Sequence, residues 1–268
     1  MAAVPPGTTA FALFGDTPYS ENEAERLERL IDDLNANELA FVVHIGDITS
    51  GQGPCTDEWF EARKRQFARI KHAFVLLPGD NDWTDCHRSG FDPLERLRHW
   101  RELFCFQEKL ALERQRGEYC EHVRWQAGDV LFVALNVQGS NNNLGRTAAM
   151  DREYAARMRA VFAWIDDCEK LFREKNLARL VLLMQADPFL IPGGGRPNGF
   201  ATMLERLRAL GERYPGKVVL VNGDTHRYRD DEPLPGVRRI EPWGSPIVSW
   251  LRGAIRSGEI SVEVASTY

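Results

Sequence analysis

Short apolar runs alternate with amphipathic segments along almost the whole chain. Six of these runs have the length of buried strands, and each ends at a polar or glycine-containing turn. They cover residues 10–14, 41–45, 73–77, 129–137, 180–184 and 218–221. Strands that alternate with helical segments in this way predict an α/β fold.

Helical patterns fill most of the segments between these strands. Ser20 and Glu23 form a capping box before the first helix, and Asp92 with Pro93 opens another helix as N-cap and first residue. Further helices are predicted over residues 57–71, 151–175 and 199–213, followed by short strands at 238–241, 247–251 and 260–264. No linker interrupts this order, so the sequence predicts a single domain over residues 1–268.

Composition and charge exclude several classes of protein. The chain has 268 residues, of which 43% are hydrophobic and 27% charged, as in ordinary globular proteins. A net charge of −5 disfavours binding to a nucleic-acid backbone, and no apolar run approaches the roughly 18 residues of a membrane span. The first residues do not look like a signal peptide, which indicates a soluble, cytoplasmic protein, or a periplasmic or secreted one if a signal peptide was removed.

Acidic residues recur at the ends of the predicted strands. Four apolar runs each end in Gly-Asp, at Asp16, Asp47, Asp80 and Asp224. Ligand sites of open α/β sheets form at the carboxyl ends of strands, and glycine lets the backbone turn sharply and approach closely there. Carboxylates that converge in one crevice repel each other unless a cation or protons neutralise them. The pattern therefore predicts a metal or phosphate site.

These strand-end blocks resemble those of the calcineurin-like metallophosphoesterases. The family pattern is Asp-x-His, Gly-Asp, Gly-Asn-His-Asp/Glu, a lone His and Gly-His-x-His. The blocks that correspond to it here are residues 15–18, 46–47 and 79–82, then Gln185, then residues 223–226. The Gly-Asp-Asn-Asp-Trp-Thr-Asp-Cys-His-Arg string at residues 79–88 is similar to that of a divergent branch of the family. The resemblance implies a four-layered α/β/β/α sandwich that hydrolyses a phosphate ester, either a monoester or a diester.

The resemblance also implies a metal site with fewer histidines than the family pattern. Three ligand histidines of that pattern are replaced here by Pro18, Gln185 and Asp224, and its ligand asparagine is replaced by Asp80. Of the histidines, only His226 remains. One ion would be held by Asp16, Asp47 and His226, and a second by Asp47, Asp80, Gln185 and Asp224. An oxygen-rich ligand set of this kind favours Mg²⁺ or Mn²⁺ over Zn²⁺, and Fe or Ca²⁺ is also compatible with it.

The mechanism that follows is the attack of a metal-activated water on phosphorus. Asn81 replaces the usual histidine acid, so His87 is the candidate acid and Arg88 the candidate phosphate fork. Asp82 either orients its neighbour or caps a helix. The remaining candidates follow a strand that ends at the same rim and either contact the substrate or form asparagine-rich turns, namely Asn136, Asn141, Asn142 and Asn143.

An alternative to the enzyme is a phosphoesterase-like pseudoenzyme that binds a phosphorylated ligand or a partner without turnover. The lost histidines favour it, whereas their replacement by oxygen donors favours the enzyme. The expected partner is a small-molecule phosphate ester. The five cysteines are expected to be mostly buried thiols, and a Cys55–Cys86 bridge is the one pairing we consider, because both residues follow strands of the site.

Overall fold

Two β-sheets form the centre of the protein, whose structure, a computed structural model, describes residues 7–105, 110–190, 193 and 195–268. Five described strands make the first sheet: β1 (Thr8–Phe14), β2 (Phe41–His44), β3 (Ala73–Leu76), β11 (Ser249–Arg256) and β12 (Glu259–Thr267). Their order across the sheet is β12-β11-β1-β2-β3. Strands β1, β2 and β3 run parallel, and β11 lies antiparallel to β1.

The second sheet has seven strands within the described ranges. They are β4 (Glu113–Arg114), β5 (Val123–Ala127), β6 (Val130–Ala134), β7 (Arg179–Leu183), β8 (Val218–Val221), β9 (Arg229–Leu234) and β10 (Val237–Glu241). Their order is β4-β5-β6-β7-β8-β10-β9, with β6, β7, β8 and β10 parallel.

Helices cover the outer faces of both sheets. They are α1 (Glu21–Ala36), α2 (Asp57–Phe67), a 3-10 helix (Thr84–Ser89), α3 (Pro93–Phe104), the single turn α4 (Gly139–Asn142), α5 (Ala148–Glu174) and α6 (Ala201–Arg213). The predicted caps are present, because the side chains of Ser20 and Asp92 accept hydrogen bonds from the first turns of α1 and α3. The Glu23 carboxylate accepts from the Tyr19 N–H rather than from that of Ser20, so it closes the capping box one residue earlier than expected.

Alternating side chains of the strands separate three apolar layers in the described part of the chain. Phe11 and Leu13 of β1 face the second sheet, whereas Ala12 and Phe14 face α1, α2 and α3. The other side of the second sheet packs against α5 and α6 through residues such as Leu182. The layers therefore follow the order α/β/β/α, which confirms the predicted sandwich.

Several polar or irregular elements were not predicted from the sequence. Strands β4, β5 and β9 and the 3-10 helix carry too many charged or turn-forming residues to show a clear apolar period. The predicted helix over residues 57–71 ends at Phe67, and β11 and β12 are longer than the short strands expected in the tail. No helix among the described residues is both long and apolar enough to cross a membrane.

Two disulfides correct the expectation that most cysteines are free thiols. Cys55 is bonded to Cys86, which joins the loop before α2 to the 3-10 helix after β3. Cys105 is bonded to Cys120, a pair that the sequence did not suggest. Cys168 alone is free and buried, and burial raises the pKa of its thiol to about 12.

Thiol counting tests this pairing. Protein purified without reductant and unfolded in guanidinium should react with a thiol reagent at one site per chain, and at five sites after full reduction. The native protein should not react, because Cys168 is buried and its thiolate form is disfavoured. The Cys168→Ser variant is the control and should show no thiol before reduction. Three or more thiols per chain in the unreduced protein would contradict the pairing.

Candidate functional site

The candidate metal ligands lie in tight turns where parallel strands end. Asp16, Asp47, Asp224 and His226 all have left-handed backbone conformations, with φ values of 50°, 61°, 77° and 60°. Aspartate and asparagine tolerate this conformation better than most residues, and strain of this kind is typical of functional sites. These turns aim side chains from both sheets into one cleft.

Close approach, rather than a special backbone angle, explains two of the glycines in the Gly-Asp pairs. A Cβ atom on Gly79 would overlap the Asp47 carboxylate, and one on Gly223 would overlap the Asp16 carboxylate. Neither glycine has a positive φ angle. The left-handed turn therefore falls on the aspartate in most of these pairs, whereas the glycine makes room for the neighbouring carboxylate.

Two fully buried side chains hold these turns in place. His44 bonds to the Thr17 carbonyl through Nε2 at 2.8 Å and accepts from the Gly46 N–H through Nδ1 at 3.1 Å. Burial lowers the His44 pKa to about 4, so the ring stays neutral. Asp82 accepts from the N–H groups of residues 47, 48 and 79 at 2.7–3.1 Å. It therefore orients the neighbouring loops rather than capping a helix.

The carboxylates of Asp80 and Asp224 both come close to Gly139. Each has an Oδ1 atom 2.7 Å from the position that a Cβ of Gly139 would occupy. Asp80 Oδ1 is buried and has no hydrogen-bond partner, whereas its Oδ2 accepts from the Ser140 hydroxyl at 2.8 Å. A buried carboxylate oxygen without a partner is costly, and a cation is the partner that such an oxygen prefers.

The Gln185 side chain lies between Asp16 and Asp47 with its amide nitrogen toward them. Its Nε2 is 3.3 Å from Asp16 Oδ1 and 3.1 Å from Asp47 Oδ2, and its Oε1 accepts from the Gly139 N–H at 2.7 Å. A backbone N–H can only donate, so Oε1 must face Gly139 and the NH₂ group must face the carboxylates. Because an amide nitrogen is not a metal ligand, this arrangement does not support the ligand role predicted for Gln185.

Tyr19, which the sequence analysis did not identify, joins several of the predicted residues. Its hydroxyl donates to Asp47 Oδ2 at 3.0 Å, accepts from Asn81 Nδ2 at 3.0 Å and lies 3.2 Å from His226 Nε2. Burial, together with the charges of Asp47, Asp16 and Asp80, raises the Tyr19 pKa well above its usual value. Tyr19 is therefore a neutral hydrogen-bond donor at the floor of the cleft.

His226 presents a lone pair to the cleft. Its Nδ1 lies 2.7 Å from the Ser245 carbonyl, which can only accept, so Nδ1 carries the proton. The lone pair is then on Nε2, which lies 4.0 Å from Asp16 Oδ1. Burial lowers the His226 pKa, and the ring is neutral. A carbonyl that fixes the tautomer in this way is typical of metal-ligating histidines.

The carboxylates of the cleft are poorly compensated by the protein itself. Burial raises the pKa of Asp16 to about 8 and the pKa values of Asp80 and Asp224 to about 7. Neighbouring carboxylates add to each of these shifts. Burial, together with the neighbouring carboxylates, also raises the pKa of Asp47 well above its usual value. A bound cation would supply the missing positive charge, so the set of four carboxylates and one imidazole fits a divalent metal.

These ligand atoms are spread over two places rather than one. Among the described residues, no three carboxylate or imidazole ligand atoms of this cleft lie within 4.8 Å of one another. One place is between Asp80 and Asp224, and the other is beside Asp16, Asp47 and His226, where the Gln185 amide also lies. The arrangement is compatible with one or two divalent ions, and oxygen ligands favour Mg²⁺ or Mn²⁺.

Not all of the predicted catalytic and substrate-binding residues reach the cleft. It has a volume of about 400 Å³ and is lined by Asn81, Arg88 and Asn141 together with the candidate metal ligands Asp47, Asp80, Asp224 and His226. His87 lies in an adjoining cleft instead. Asn136 and Asn142 are fully buried, where they bond to Glu121 and Arg157, so the structure does not support substrate contacts for them.

Ser140 is a second residue that the sequence analysis did not identify as functional. Its hydroxyl lies 2.8 Å from Asp80 Oδ2 and 2.7 Å from Asp85 Oδ2, and the residue borders the cleft. Arg88 forms an ion pair with the same Asp85 at 2.8 Å. The asparagine-rich loop after β6 marked this region in the sequence, but Ser140 had no signal of its own.

Comparisons with known proteins agree with this geometry. A family model for calcineurin-like phosphoesterases matches residues 9–228. A dimetal phosphatase from Danio rerio is 13% identical, covers 97% of this chain and 98% of its own, and has a TM-score of 0.63. A purple acid phosphatase from yellow lupin seeds is 14% identical over 97% of this chain and 52% of its own, with a TM-score of 0.52.

These two structures share the fold with this chain, and at such identities the likeness extends to the fold alone. No protein with a curated description matches the sequence significantly. The family match, in contrast, spans most of the chain and includes every strand-end turn of the cleft. The protein therefore belongs to the calcineurin-like phosphoesterase family.

Proposed function

We propose that the protein hydrolyses a small-molecule phosphate ester with the help of bound divalent metal. Metallophosphoesterases use a dinuclear divalent metal centre for the hydrolysis of phosphate esters. The observation that carries the proposal is the convergence of Asp47, Asp80 and Asp224 with the Nε2 lone pair of His226 in one cleft. The Asp16 carboxylate is buried beside them, 4.0 Å from His226 Nε2. These residues would hold the metal.

The metal would neutralise phosphate charge and lower the pKa of a water that attacks phosphorus. The chain's own side chains supply binding and orientation. Arg88 borders the cleft and offers a guanidinium to phosphate oxygens, and the Asn81 amide offers a neutral donor in the same cleft. Tyr19 holds Asn81 and Asp47 in place through its hydroxyl. Asp82, through the backbone of residues 47 and 79, keeps two of the ligand loops at a fixed separation.

One observation favours a second candidate, a protein that binds a phosphorylated ligand without turnover. The Gln185 amide donates hydrogen bonds to the carboxylates of Asp16 and Asp47 and so stabilises their charged forms. The family pattern has a metal-ligating histidine at this position. A protein that no longer needs a metal beside these two carboxylates would gain stability from such an amide. Metal binding and turnover separate the two candidates.

The proposed compartment follows from the disulfides. Cys55–Cys86 and Cys105–Cys120 are both structural bridges between segments of one chain. Such bridges persist in oxidising compartments and are rare in the cytosol. They support a periplasmic or secreted location rather than a cytoplasmic one.

The Asp47→Asn variant tests the metal site. Removing this charge while keeping the side-chain shape should lower the bound Mn²⁺ or Mg²⁺ content and reduce the hydrolysis of aryl phosphate monoesters or diesters by at least ~100-fold. Metal analysis and a rate assay with each divalent ion measure the two effects. The control is Asp167→Asn on an exposed face of α5, which should match the wild-type protein.

Two results would contradict the proposal. Wild-type protein that binds no metal after loading with Mg²⁺ or Mn²⁺ would favour the binding protein. Activity that persists undiminished in Asp47→Asn would show that the hydrolysis does not depend on this carboxylate.

The Gln185→Glu variant tests the orientation of the amide. A third carboxylate between Asp16 and Asp47 should lower the melting temperature of the EDTA-treated protein by about 5 °C, because two hydrogen bonds to carboxylates become repulsive contacts. Added Mn²⁺ should then raise the melting temperature more than it does in the wild-type protein. Gln126→Glu on the exposed face of β5 is the control, and an unchanged melting temperature in EDTA-treated Gln185→Glu would contradict the assigned orientation.

A further inference from the structure

A second cleft adjoins the carboxylate cleft and has the opposite charge. It has a volume of about 510 Å³ and shares Asp85, Arg88, Ser140 and Asn141 with the carboxylate cleft. His87, Arg146 and Arg196 line its far side. Asp85 is the one acidic residue in its described lining, so we call this space the basic cleft.

Arg146 is half-buried in the wall of the basic cleft without an acidic partner. Its guanidinium donates to the Thr84 carbonyl at 2.6 Å, to the Thr84 hydroxyl at 3.2 Å and to Asn143 Oδ1 at 3.0 Å. All of these acceptors are neutral, and among the described residues the guanidinium forms no ion pair within 4.0 Å. The charge of Asp85 attracts it only from a greater distance. Burial of this charge lowers the Arg146 pKa, which is the cost of holding a guanidinium there.

His87 adds an imidazole ring to the basic cleft. Its Nδ1 lies 2.7 Å from Arg146 Nη1, which can only donate, and 2.9 Å from the Thr84 carbonyl, which can only accept. These two contacts require opposite roles of Nδ1, so they do not fix the tautomer of the ring. The position of His87 in this cleft supports a part in ligand binding better than the role of acid at the carboxylate cleft.

Arg196 lies on the exposed edge of the same cleft. Its guanidinium has no ion pair within the described ranges, so its charge is available to a ligand. Together with Arg88 and Arg146 it gives three guanidinium groups around one space. Guanidinium groups bind phosphate oxygens through paired hydrogen bonds, and several of them around one cavity favour a doubly charged anion over a carboxylate.

We propose that the basic cleft binds a second phosphate group of the same substrate, so that the preferred substrate is a small molecule with two phosphate groups. This assignment rests on the proposed function for the first phosphate, which would lie among the carboxylates and their metal. Arg88 and Ser140 border both clefts and would lie between the two phosphates. The net charge of −5 and the small size of the basic cleft disfavour a polymeric anion such as nucleic acid.

Calorimetric titration with phosphonates tests the proposal without turnover, because their carbon–phosphorus bonds are not hydrolysed by a phosphoesterase. Propylphosphonate is compared with propane-1,3-diphosphonate, and hexylphosphonate with hexane-1,6-diphosphonate, at saturating Mg²⁺. The better diphosphonate should bind at least tenfold more tightly than its monophosphonate, as expected for one additional set of charge-assisted hydrogen bonds.

Two variants assign this preference to the basic cleft. Arg196→Ala and Arg146→Gln should each lower the ratio of diphosphonate to monophosphonate affinity by about tenfold. Arg196 is exposed and makes no internal ion pair, so its loss should not affect folding even if Arg146→Gln does. Arg208→Ala on the exposed face of α6 removes the same charge elsewhere and should leave the ratio unchanged.

The outcomes separate this proposal from the proposed function. Equal affinities within each pair, or a preference that survives both variants, would overturn the second phosphate site. Monophosphonate binding that gains nothing from Mg²⁺ would instead count against the metal site. In that case, diphosphonate binding that persists in EDTA and depends on Arg196 would still support the basic cleft.

Discussion

The repulsion among four carboxylates, three of them buried and one at the edge of the cleft, is the constraint on which the rest of the structure depends. Asp16, Asp47 and Asp80 come from the first sheet and Asp224 from the second, and all four are nearly inaccessible to water or lie at the edge of the cleft. Burial and mutual repulsion raise the pKa of each of them. A chain that brings these groups together must hold its turns rigidly, and the apolar layer between the sheets provides that rigidity.

Neutral hydrogen-bond donors that lie between the carboxylates weaken this repulsion. Gln185 donates to Asp16 and Asp47, Tyr19 donates to Asp47, and Ser140 lies between Asp80 and Asp85. A hydrogen bond from a neutral donor stabilises a carboxylate much less than a divalent cation does. These donors therefore stabilise the fold of the metal-free protein, but they leave most of the negative charge of the carboxylates uncompensated. The least compensated atom is Asp80 Oδ1, which is buried and has no hydrogen-bond partner.

Local patterns of the sequence predicted the α/β fold and most of the carboxylate cleft, whereas the four-layered sandwich was predicted from the family resemblance. Each Gly-Asp pair comes directly after an apolar run, and parallel strands bring such ends to one edge. The orientation of Gln185 depends instead on the Gly139 N–H, which lies 46 residues away in sequence. Tyr19 and Arg146 reach their clefts through turns whose conformations no short motif specifies, and the Cys105–Cys120 bridge closes across a segment without a clear apolar period.

If the two proposals hold, the two clefts together would let a chain with a net charge of −5 bind an anion. The carboxylates line the cleft that would hold the metal, whereas the guanidinium groups of Arg88, Arg146 and Arg196 line the basic cleft. A substrate with a single phosphate would leave the half-buried guanidinium of Arg146 without an anionic partner. Partial desolvation of this guanidinium in the cleft wall costs free energy. Charge-assisted hydrogen bonds to a second phosphate would offset that cost better than bonds to a neutral group.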